Sequence, residues 1–311
     1  MEPILNVLFP VFAIVAAGYF SGYFKLLGPD SSEALNRFVY WVALPVFLFH
    51  AMAKVDLAVL FNGAFLAAYI IGLLLIWALA LVVARVFFGR GLAEGGMHGM
   101  NCVYGNTGYM GIPLAITAYG EAAALPAILA TVINTAVVIG IAATLIEIGQ
   151  KDDRGAIVRD VFVALFKNPL FVAPVLGGLW ATTGVAMAEP VEAFTRILGA
   201  AAGPCALFSI GLFLVGRPMS EGLGEVSSMT AMKLLLQPVL TAALIFFFFP
   251  MDQLWTNVAV LMAALPTGSG SFVMAQAYGI YVARTSSVIL ISTLLSVLTL
   301  AIFFLIFPPT A

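Results

Sequence analysis

The chain has 311 residues, 63% hydrophobic and 9% charged, with a formal net charge of −2 and a mean hydropathy of +1.11. Soluble domains hold roughly 45–50% apolar residues, so a water-soluble fold of this length could not bury what this one carries, and an all-α integral membrane protein is expected. The weak net charge, with no long run of one sign, excludes a nucleic-acid footprint. The two cysteines, Cys102 and Cys205, lie in apolar stretches and read as packing residues, not as a disulfide framework or a thiolate metal site.

A helix needs about 20 apolar residues to cross a hydrocarbon core of about 30 Å, because unsatisfied backbone cannot face lipid. The start, Met1-Glu2-Pro3, lacks the basic flank and cleavage motif of a signal peptide, so the first apolar stretch, 4–24, reads as a permanent span. Spans two and three follow at 35–53 and 64–88. The fourth, 98–118, contains Gly105, Gly108 and Gly111 and then Pro113. Proline in a helix interior costs about 3 kcal/mol and each glycine up to about 1 kcal/mol relative to alanine, so this span is expected to kink or unwind. The fifth, 124–148, leads into the longest polar connection, 150–160 (QKDDRGAIVRD), and the sixth to eighth lie at 161–181, 192–216 and 229–249. The ninth, 254–277, carries Leu265-Pro266-Thr267-Gly268-Ser269-Gly270-Ser271, a second stretch poor for a continuous helix, and the tenth is 284–307.

Basic residues mark cytoplasmic flanks. Lys25, Arg37, Arg85, Arg90, Lys151, Arg154, Arg159, Lys167, Arg217, Lys233 and Arg284 fall at span ends on one side and only Lys54 and Arg196 on the other. The expectation is a multi-pass protein of the cell's inner or plasma membrane with both termini extracytoplasmic.

A shift of 159 residues lays Ala34, Arg37, Ala43, Pro45, Leu48 and Phe49 over Ala193, Arg196, Ala202, Pro204, Leu207 and Phe208, and Ala118-Tyr119-Gly120 over Ala277-Tyr278-Gly279. Apolar composition would explain the alanines but not prolines and arginines paired at one register. Residues 1–150 and 161–311 are therefore expected to be two five-helix repeats, joined by a cytoplasmic linker at 151–160. Five is odd, so the second repeat enters the membrane inverted, as in many secondary transporters.

Both breaks fall in the same helix of the repeat, four and nine. Unwound backbone at membrane depth belongs in protein or against a wet cavity, and paired breaks are the sequence pointer to a binding site. The candidate substrate-binding residues are Asn106, Thr107, Gly108, Pro113, Pro266, Thr267, Gly268, Ser269 and Ser271, with Asn134 and Gln276 secondary. Half-helix N-termini favour anions, and a buried amide such as Asn106 needs a partner or a role. Close packing of small residues competes with function for each Gly, Ser and Thr. Gln237 reads as an interhelical hydrogen-bonding group and His50 as interfacial.

All fifteen carboxylates sit at span ends or in loops, which weighs against proton antiport through a buried Asp or Glu. Glu121 is the nearest carboxylate to a break, with solvation its ordinary fate. No P-loop, HExxH, GxSxG or His/Cys cluster occurs, so no catalytic residue, metal or cofactor is expected, and the protein is not expected to be an enzyme.

Several motifs together resemble the auxin efflux carrier family, which includes plant PIN-type and bacterial malonate-type carriers. They are Asn36-Arg37-Phe38-Val39, Ala43-Leu44-Pro45 with Phe49-His50, Asn106-Thr107 with Met110-Gly111-Ile112-Pro113-Leu114, and Ala264-Leu265-Pro266 with Phe272-Val273. The resemblance covers nearly the whole chain. It implies a ten-helix, sodium/proton-antiporter-like fold in which broken helices four and nine cross, with scaffold and transport subdomains, elevator-type motion and small organic anions as substrates. By position, Asn106 matches the family asparagine and Pro113 the proline at the crossing. This chain departs from the plant pattern at Ser271, where plant carriers have proline, and in its short linker, which counts against auxin itself as the physiological solute.

The reading is a secondary carrier of a small organic anion, such as a mono- or dicarboxylate or an auxin-like acid, with scaffold helices one, two, six and seven offering a homodimer surface. Sodium- or proton-coupled antiport or symport, a ligand-binding sensor and a passive channel remain open alternatives.

Overall fold

The computed structural model describes residues 2–55, 62–150, 163, 165–216 and 222–310. The linker at 151–160, with Lys151, Arg154 and Arg159, lies outside the described residues, as does Arg217. Twelve helical segments make up the described chain: α1 (Glu2–Tyr23), α2 (Pro29–Ala53), α3 (Gly63–Phe88), α4 (Leu92–Val103), α5 (Ile112–Tyr119), α6 (Glu121–Gln150), α7 (Pro169–Thr182), α8 (Glu189–Leu214), α9 (Leu223–Phe247), α10 (Gln253–Ala264), α11 (Gly270–Tyr278) and α12 (Val282–Ile306). Seven of these are long and apolar enough to cross a membrane, namely α1, α2, α3, α6, α8, α9 and α12. The protein is a multi-pass, all-helical membrane protein.

Proline chemistry explains the local irregularities. π-turns occupy Val39–Ala43, Thr107–Gly111 and Met232–Leu236, and each ends two residues before a proline: Pro45, Pro113 and Pro238. The pyrrolidine ring clashes with the carbonyl four residues back, and a turn widened by one residue relieves the clash while keeping the helix going. A fourth π-turn, Asn134–Val138, has no proline after it.

Two packing groups are visible. In one, α1 lies along the second half of α8 while α2 packs against α7 and α8. The approach of α1 and α8 is close enough to need glycine: a Cβ at Gly211 would stand 2.0 Å from the Val15 carbonyl oxygen, and one at Gly18 would stand 2.1 Å from that of Phe208. In the other group, α3 packs on α4 and α9, α4 on α6, and α9 on α10. Large side chains pointing to lipid, such as Phe9, Phe87, Phe194 and Phe247, are well exposed, as expected where the solvent is hydrocarbon.

Candidate functional site

Both stretches marked by glycine and proline leave the helical conformation. The chain stops being α-helical after Val103 and again after Ala264, and the two open segments meet each other. Gly105 and Thr267 form an antiparallel bridge; the Asn106 N–H donates to Pro266 O at 2.8 Å and the Gly268 N–H to Tyr104 O at 2.9 Å. Each break thus satisfies backbone groups that the other would leave open in a low-dielectric interior. The exchange requires close approach, since Gly268 and Gly270 both lie against the Tyr104 ring, where a Cβ on Gly270 would stand 2.7 Å from the Tyr104 hydroxyl oxygen.

The helix-end carbonyls are met by side chains. The Thr267 hydroxyl donates to Asn101 O at 2.9 Å, Gln237 Nε2 to Val103 O at 3.4 Å and Asn134 Nδ2 to Gly105 O at 3.2 Å. Lys233 Nζ donates to Ala263 O at 2.7 Å. The Thr267 N–H in turn finds Ser292 Oγ on α12 at 3.1 Å.

A cleft of about 1390 Å³ opens onto this crossing, walled on the far side by α2 and α8 with Tyr40, Trp41 and Phe213. Asn106, Thr107, Gly108, Gly268, Ser269 and Gln276 all line it. Asn106 and Ser269 stand immediately before the helical turns that resume after each break, and neither side chain caps its own helix. Asn106 is 7% exposed. The amide and the hydroxyl are therefore held in the cleft beside two helix N-termini, where backbone N–H groups and the helix dipole favour negative charge. The cleft also exposes Lys25, Arg37 and Glu33, with Arg37 and Glu33 paired at 2.7 Å.

The remaining sequence candidates lie elsewhere. Pro113 packs toward α8, against the position of Gly203. Pro266 contributes its carbonyl to the crossing. Thr267 and Asn134 are buried behind it; the Thr267 hydroxyl and Asn134 Nδ2 serve the backbone bonds above, while Asn134 Oδ1 is buried with no hydrogen-bond partner among the described residues. Ser271 is buried with its hydroxyl unpartnered. Glu121 is exposed. His50 bonds Thr195 at 2.7 Å between α2 and α8, next to the Lys54–Glu192 pair.

One residue departs from its sequence reading. Lys233, counted among the flank cations, is fully buried at the crossing. It sits in the π-turn at Met232–Leu236, and its Nζ reaches Ala263 O. Without it the flank count read from the sequence is ten against two. A lysine within a predicted span, five residues before a proline, was the signal available.

Comparison with known proteins follows the same outline. The sequence pattern of the family described as "Membrane transport protein" matches residues 3–304. A Rhizobium meliloti (strain 1021) protein named "Putative malonate transporter" is 30% identical, covering 96% of this chain and 94% of that protein. The "Uncharacterized transporter YfdV" of Escherichia coli (strain K12) is 24% identical over 94% of each chain. "Auxin efflux carrier component 8" of Arabidopsis thaliana is 24% identical, covering 96% and 95%.

Proposed function

The chain belongs to the membrane transport protein family, that of the auxin efflux carriers, and from that premise we propose that it is a secondary carrier of a small organic anion, a mono- or dicarboxylate. The observation that carries the reading is the Asn106 amide, which does not cap its own helix, set in the wall of a cleft of about 1390 Å³ beside two helix N-termini. A carboxylate there would accept from Asn106, Thr107 and Ser269 and from the first backbone N–H groups of the resumed helices. Malonate, named for the Rhizobium relative, is the first substrate to try.

In this reading the chain crosses the membrane ten times. The seven long helices, α7, and the broken pairs α4–α5 and α10–α11 make two inverted five-helix repeats, with both termini outside the cytoplasm. The group of α1, α2, α7 and α8 is a static scaffold, a homodimer surface among it. The group built on the crossing moves as an elevator and carries the anion from one side to the other, with the cleft as the seam between the two. The division in packing and the lining of the cleft from both groups support this assignment.

The test is uptake of radiolabelled carboxylates into proteoliposomes, with and without imposed sodium and proton gradients. Saturable uptake is expected for the wild type. Loss of one hydrogen bond to a charged group, worth about 1.5–3 kcal/mol, predicts a rise of about tenfold or more in KM for Asn106→Ala. No saturable flux of any carboxylate, or unchanged kinetics in the variant, would overturn the reading. A topology reporter at each terminus checks the orientation.

A further inference from the structure

Lys233 is the buried group for which the carrier reading supplies no use. It is 0% exposed in the middle of an apolar protein, and among the described residues no carboxylate pairs with it. Its partner is a backbone carbonyl, Ala263 O at 2.7 Å, on the last turn of α10. It also stands beside the other break, since a Cβ on Gly105 would lie 3.5 Å from Nζ. Desolvating an ammonium costs several kcal/mol, and a packing role would be met by methionine or leucine at less cost.

What surrounds Nζ explains its place. Both α4 and α10 end at the crossing, and the terminal carbonyls of a helix carry a partial negative charge, equivalent to about half an electron per helix. Two such ends meet where an anion is to be held one or two residues away. Uncompensated, their field would repel a carboxylate on Asn106. Thr267, Gln237 and Asn134 meet three of the carbonyls with neutral donors; Lys233 alone brings a charge. Carbonyl oxygens converging at unwound helices are also the ligand set that holds a sodium ion in other carriers.

We propose that Lys233 is the resident cation of the crossing, a positioning residue that does the electrostatic work a bound sodium ion would otherwise do, so that this chain holds its anion without sodium. The proposal rests on the anion-carrier reading above. Lys233 does not line the cleft; it acts on the substrate through the two helix ends and the Gly105–Asn106 backbone.

The test uses wild type and Lys233→Ala in proteoliposomes in sodium-free choline medium, with malonate uptake measured alone and with added sodium or methylammonium. Wild-type uptake is expected to be the same with and without sodium. Lys233→Ala is expected to show KM raised about tenfold or more, as for loss of a charged partner, and partial recovery on addition of either small cation, which a purely structural defect would not show. Lys233→Arg, which keeps the charge, is expected to retain more activity than Lys233→Ala. A wild type that transports only with sodium, a Lys233→Ala protein with unchanged kinetics, or lost flux that neither cation restores in folded variant protein would overturn the proposal. Malonate-induced thermal stabilisation of detergent-solubilised wild type, expected without sodium and unchanged by it, decides the point should Lys233→Ala not fold. Absence of any carboxylate flux or binding in the wild type would instead remove the carrier reading itself.

Discussion

Buried polar residues in this protein divide by what their polar atoms do. Asn134, Gln237 and Thr267 bond backbone carbonyls at the crossing, whereas Asn106 and Ser269 leave their side chains uncapped in the cleft. Thr267→Val is therefore expected to act on stability: it removes one neutral hydrogen bond and leaves Asn101 O unmet, costing about 1–3 kcal/mol, read as a lower unfolding temperature in detergent with little change in KM. Away from the crossing, Glu225 at the start of α9 is 2% exposed. It hydrogen-bonds Arg90 at 2.8 Å, His98 at 3.3 Å and the Tyr281 hydroxyl, and Arg284 Nε stands 3.1 Å away as an ion-pair contact. Burial, together with that carboxylate, pushes the Tyr281 hydroxyl up from its ordinary range, so it stays a donor. Because both arginines keep some solvent contact, Glu225→Gln is expected to cost about 2 kcal/mol, less than breaking a fully buried pair, and thermal unfolding measures it.

At the scale of elements, the helices owe their irregularity to proline and their contacts to glycine. Three π-turns before Pro45, Pro113 and Pro238 are one physical response to one clash, and Lys233 sits in the turn before Pro238. Where α1 and α8 touch, backbone meets backbone, and in lipid such contact relies on packing in place of a hydrophobic drive. Gly211→Ala must push the helices apart, because its Cβ would lie 2.0 Å from the Val15 oxygen. A loss of about 1–3 kcal/mol is expected from overpacking, with substrate KM unchanged because neither residue lines the cleft; unfolding temperature and uptake kinetics together check both halves of that statement.

At the scale of the whole molecule, the elevator reading requires the crossing group to slide past α1, α2, α7 and α8. Phe213 of α8 and Phe272 of α11 meet across the cleft edge-to-face, ring centroids 5.3 Å apart. With Cys102 and Cys205 replaced by alanine, cysteines at 213 and 272 joined by a short thiol-reactive bridge are expected to abolish uptake while leaving malonate-induced thermal stabilisation intact. Uptake that persists through a complete cross-link would exclude sliding at this seam.

Membrane class, the positions of the seven long apolar helices and both helix breaks were legible in the sequence because each follows from local chemistry: apolar length against bilayer thickness, and the missing donor and steric clash of proline near glycine. Asn106 stood out in the sequence as an amide inside a broken span, and the structure places it in the wall of the cleft. The tertiary structure alone decided that the two breaks pair backbone to backbone, that Thr267, Asn134 and Gln237 serve carbonyls while Asn106 and Ser269 face the cleft, and that Lys233 points inward to Ala263 O in place of the membrane surface. Those outcomes depend on contacts between residues 29 to 166 positions apart, and no local propensity encodes which long-range partner a buried polar atom will find.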